Sequence, residues 1–166
     1  MNVENMTVQE AVRRSLKTEK NAMDFYGLGA RQMQDAEARR VFELLAREER
    51  GHAGTFYKVY TGTDIPSLDA FLDQSPHHES DWLASLSRII GPGFNEQKAL
   101  ELAMEKEQQL EEVLCRMAAK IQDPAVREVF ELNIRETHNH YVMIESEYAR
   151  VMGMVHESDM DTFVRE

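Results

Sequence analysis

Cysteine is almost missing. Cys115 stands alone among 166 residues, so no intrachain disulfide can form and no cysteine knuckle or ribbon can hold a metal. Basic residues are also short, with 19 Lys and Arg against 30 Asp and Glu and a formal net charge of −11. Nucleic acid and anionic membrane surfaces both need clustered positive charge, so neither is expected as a partner. No apolar run approaches bilayer-spanning length, and the stretch MNVENMTVQEAVRRSLKTEK lacks the apolar centre of a secretory signal. A reducing cytoplasm is the expected compartment. Glycine (8) and proline (4) are sparse, and 42% of the chain is hydrophobic. Long uninterrupted segments with enough apolar surface for one core follow from that.

What is there is helical periodicity. Apolar residues at 8, 12, 16, 23, 26, 30 and 33 form one stripe, ended near Asp35. A second runs through Ala38, Val41, Phe42, Leu45, Ala53, Phe56, Val59 and Tyr60. Asn95 is an N-cap signal for a third helix reaching about Ile121, and Asp123-Pro124 opens a fourth to about Met152. Between the second and third, DWLASLSRII is one short amphipathic piece in an otherwise irregular link at about 61–94. Residues 154–166 are a polar tail to which no structure is assigned.

The chain also repeats itself. Shifted by 88 residues, 34–52 falls on 122–140 with ten identities in nineteen positions and no gap. The pairs include Asp35/Asp123, Phe42/Phe130, Arg47/Arg135, Glu48/Glu136 and His52/His140, and the same shift places Glu19 on Glu107. Two copies of a helical hairpin, each with one apolar stripe per helix, bury those stripes against each other. The expected fold is all-α: a four-helix bundle over 1–153, built from two duplicated hairpins joined by one long crossover.

Acidic residues interrupt those stripes at their centres. At about 100° per residue, Val12 and Tyr26 lie within about 20° of Glu19, and Leu100, Ala103, Leu114 and Ala118 within about 40° of Glu107. Glu49 lies among Phe42, Leu45, Ala53 and Phe56, with His52 one turn on. Thr137 lies among Phe130, Asn133, Tyr141 and Ile144, beside His140. Three carboxylates and two imidazoles thus converge at one level, with no Lys or Arg on the same faces. Ionised carboxylates in a core are costly without compensating charge, and a divalent metal supplies it. Glu43, Glu48, Glu101, Glu105 and Glu112 read as solvated surface charges.

Glu on helices one and three with Glu-x-x-His on two and four is similar to the ferritin-like di-metal carboxylate pattern. The words EKNAMDFY, LLAREERGHAGTFY and HYVMIESEY resemble the rubrerythrin family. That resemblance implies two irons held mid-bundle and bridged by the Glu-x-x-His carboxylates. Glu19, Glu49, His52, Glu107 and His140 match ligand positions, and Thr137 stands where a bridging Glu is expected. The implied activity is that of a non-haem di-iron oxidoreductase, reducing peroxide or dioxygen or oxidising Fe(II), with an external electron donor and a homodimeric assembly. A full rubrerythrin also carries a rubredoxin-like domain with four cysteines, and this chain has one. The alternative is a bundle that binds or senses a single ion, iron or another divalent metal, at a site degraded by Thr137, without turnover. Glu111, one turn beyond Glu107, is a candidate auxiliary carboxylate. Glu136 is another, but it lies about 100° from Thr137 at the edge of the stripe, so its removal is expected to change little.

Overall fold

The structure is a computed structural model that describes the backbone of residues 3–164 and the side chains of residues 3–153. Among these residues there is no strand. Helix α1 (Val8–Gln32) starts at a capping box in which Thr7 Oγ1 accepts from the Glu10 amide and Glu10 Oε2 accepts from the Thr7 amide. Helix α2 (Ala36–Tyr57) starts at Asp35, whose carboxylate accepts from the Ala38 amide at 2.9 Å. In the second half, α5 (Glu96–Ala118) is capped by Asn95 and α6 (Pro124–Val164) follows Asp123 with proline in its first position. The caps expected at Asn95 and Asp123 are in place, with Asn95 Oδ1 accepting from the Lys98 amide and Asp123 Oδ1 from the Ala125 amide. Helix α6 runs past the Met152 end expected for it, into the segment left unassigned.

Helices α1 and α2 form one hairpin and α5 and α6 the other. The link between them holds two short helices, α3 (Leu68–Leu72) and α4 (Asp81–Ser87). The second is the amphipathic piece read from the sequence. It turns Trp82, Leu83 and Leu86 inward, setting Trp82 edge-on to Phe25 with ring centroids 5.2 Å apart. The link is therefore a strap across α1 rather than a free loop. Helices α1 and α2 approach closely where Gly29 meets Phe42: a Cβ on Gly29 would lie 2.8 Å from the Phe42 ring.

Apolar layers lie along the bundle on both sides of its middle. Phe25, Tyr26 and Phe42 are fully buried, and so are Phe56, Phe130, Leu100 and Ile144. Each such side chain contributes about 1.5–3 kcal/mol by leaving water. An uncompensated buried charge costs several kcal/mol. The apolar layers are what allow the middle of the bundle to be polar.

Candidate metal centre

Glu19 comes from α1, Glu49 and His52 from α2, Glu107 from α5, and Thr137 and His140 from α6. All six are buried, the three glutamates at 0% exposure and Thr137 at 1%. The structure thus brings the five expected donors together at one level of the core. The two imidazoles stack with centroids 5.0 Å apart and planes 17° from parallel. Their Nδ1 atoms face the carboxylates: His140 Nδ1 is 2.8 Å from Glu49 Oε1 and 3.5 Å from Glu107 Oε1, while His52 Nδ1 is 3.6 Å from Glu49 Oε2 and 3.7 Å from Glu19 Oε2.

Proximity is not pairing here. Both oxygens of Glu19, both of Glu49, Glu107 Oε2 and both Nδ1 atoms have no hydrogen-bond partner. Buried polar atoms in folded proteins are nearly always satisfied, so a cluster of orphans that converges is a request for a further group. Oxygen and imidazole donors of this kind suit a divalent first-row metal. Donor atoms of Glu49, His52 and His140 lie within 4.8 Å of one another, close enough to share one ion. Glu19 and Glu107 flank that trio. Two lysines are also buried beside the cluster, but Lys20 is held by Asp24 and the Gln74 carbonyl and Lys106 by Asp81. Neither neutralises it.

Electrostatics of the metal-free cluster follow from crowding. Burial opposes charge on both imidazoles, yet contacts with Glu19 and Glu49 push His52 up to about 12, and contacts with Glu107 and Glu49 push His140 up to about 11. Burial, reinforced by the charge of Glu49, raises Glu19 well above the usual carboxylate range and raises Glu107 as well. Burial also works against ionised Glu49, but contacts with Glu19, His140 and His52 outweigh it and hold Glu49 below that range. Burial thus favours the neutral form of Glu19, while the contacts around Glu49 favour its ionised form. A metal needs neutral imidazoles and ionised carboxylates, so binding must expel protons. Adding Co(II) to metal-free protein near neutral pH should acidify a weakly buffered solution, and affinity should fall as the pH is lowered. Uptake without proton release would place the ion outside the cluster.

Several contacts were not legible in the sequence. Glu48, read as a solvated surface charge, instead binds His140 Nε2 at 2.6 Å. Glu136 does lie at the stripe's edge, and its carboxylate pairs with His52 Nε2, a contact that the sequence did not reveal. Tyr26, counted only as part of the apolar stripe, donates its hydroxyl to Glu107 Oε1 at 2.5 Å. Glu111 does not join the cluster; its Oε2 lies 3.3 Å from the exposed His138. Asn133, one turn before Thr137, is fully buried, and its Nδ2 donates to Thr55 Oγ1 and the Val129 carbonyl. Its own oxygen has no partner. In the first half the same position is Leu45, so the repeat is broken at two successive inward turns of α6 by neutral polar residues.

A cavity of about 540 Å³ between α2 and α6 opens onto the site, lined by Glu48, His52, Thr55, Glu136, Asn139 and His140 among others. A larger one, about 600 Å³, lies on the outer side of α1 against the crossover and includes no member of the cluster. Only the first of these two borders the cluster. No helix among the described residues is long and apolar enough to cross a membrane. A family model described as Rubrerythrin matches residues 10–148. No curated protein and no solved structure matches the chain.

Proposed function

The chain belongs to the rubrerythrin family, and on that premise we propose that it is a di-iron-type oxidoreductase that reduces peroxide, with dioxygen reduction or Fe(II) oxidation as the neighbouring reactions. One observation carries the reading: unpaired carboxylate oxygens and two Nδ1 atoms converge in the core between apolar layers. A pair of Fe(II) ions bound there supplies two electrons and Lewis acidity to a small oxidant. The protein's own part is different. Glu19, Glu49 and Glu107 with His52 and His140 would hold the ions, Tyr26 fixes the Glu107 carboxylate, and the cleft between α2 and α6 admits a molecule of peroxide size. With only Cys115 available, these 166 residues hold no rubredoxin-like iron site, so the electrons for re-reduction come from outside them.

The convergence of one trio, Glu49, His52 and His140, together with Thr137 at the bridging position, favours a second reading in which a single ion is bound without turnover. Anaerobic Fe(II) loading followed by stopped-flow mixing with peroxide separates the two. The first reading expects rapid oxidation in which a pair of Fe(II) ions is consumed for each peroxide reduced to water. Loading with one ion per chain and oxidation no faster than that of free Fe(II) would support the second.

A further inference from the structure

Both histidines of the cluster are gripped on the side facing the cleft. His140 Nε2 is held by Glu48 of α2 and His52 Nε2 by Glu136 of α6. These are one contact made twice, since the 88-residue repeat maps Glu48 onto Glu136 and His52 onto His140. Neither glutamate binds the histidine of its own helix; each reaches across to the other half. The two carboxylates are alike in exposure, 41% and 42%, whereas the imidazoles they hold are 2% and 5% exposed. Each pair therefore spans from the solvent-open cleft to the closed core.

An imidazole on a single bond can turn its ring over, exchanging Nδ1 for a carbon. A carboxylate on Nε2 prevents that exchange. Once the ring has given up a proton to make way for a metal, the carboxylate also selects the neutral tautomer with the proton on Nε2, so that the Nδ1 lone pair is directed inward. We propose that Glu48 and Glu136 are positioning residues, exchanged between the two halves of the duplication, that lock His140 and His52 with Nδ1 presented to the metal. The inference rests on the metal-centre reading above and deepens it. It also bears on Thr137: the second half has lost its bridging carboxylate but keeps the outer grip on its histidine, so His140 remains posed as a ligand.

The test uses full-length Glu48→Ala, Glu136→Ala and the corresponding Gln variants, with Glu43→Ala as the surface control. Anaerobic Co(II) titration should show about a 10–100-fold loss of affinity in each Ala variant, comparable losses for the two because the contacts are equivalent, and smaller losses for Gln, which still accepts from Nε2–H. Nitrogen-15 spectra of the histidines in metal-loaded protein should show the Nε2–H tautomer in wild type and a mixture in the Ala variants, which a merely structural role would not produce. Unchanged affinity and unchanged tautomer in both Ala variants, with binding lost in Glu49→Ala, would overturn the positioning role and leave the metal centre standing. Binding retained in Glu49→Ala as well would overturn both.

Discussion

Glu49→Ala should abolish metal binding, while Glu43→Ala on the same helix leaves it intact. Glu49 is the one carboxylate within reach of both imidazoles, 2.8 Å from His140 Nδ1 and 3.6 Å from His52 Nδ1. It belongs to the trio whose donors converge. Glu19 and Glu107 each approach only one histidine. The loss should be visible in stability. A ligand present at a hundredfold excess over its dissociation constant adds about 2.7 kcal/mol to the native state, which for a domain of this size corresponds to a rise in Tm of about 5–10 °C. Wild type and Glu43→Ala should show that rise on adding Co(II) and lose it with chelator. Glu49→Ala should melt at one temperature with or without metal. Equal metal content in the two variants would end the assignment.

Thr137→Glu should raise occupancy towards two ions per chain, or tighten the second ion measurably. Thr137 is the repeat partner of Glu49, is buried at 1% exposure and sits one turn before His140. Four carboxylates with neutral imidazoles balance two divalent ions; the three present here do not. The new side chain is longer than threonine, and overpacking a core typically costs about 1–3 kcal/mol. It also adds a fourth carboxylate to a cluster in which five of six carboxylate oxygens are already unpaired. The variant should therefore be less stable than wild type without metal and recover most of the deficit with it. Stoichiometry unchanged from wild type, together with lost rather than recovered stability, would show that Thr137 does not face the ions.

What was legible in the sequence and what was not divides along a physical line. Helical phase is a local property: Glu49 and His52 share a face because three residues make nearly one turn, whatever packs against them. The 88-residue repeat supplied the rest of the bundle, since Asp35 and Asp123 each accept from the backbone amide three residues on, at the start of α2 and α6. Helix α3 spans five residues, too few for a period to show. The outer carboxylates belong to a different class. Glu48 looks like any exposed glutamate until the sliding register of α2 against α6 is known, because that register alone decides that it meets His140 as well as solvent. Tyr26 is the intermediate case. Its phase placed it beside Glu19, but the acceptor of its hydroxyl is on α5, across an interface the sequence does not specify.

The most direct test of the metal centre is anomalous diffraction at the metal edge from crystals of Fe(II)- or Co(II)-loaded protein. The structure predicts a peak in the core between Glu49, His52 and His140, with Nδ1 of both histidines directed at it, and a second, weaker one towards the Thr137 side if a pair binds. Peaks confined to the protein surface, with the core between the two histidines empty, would contradict it.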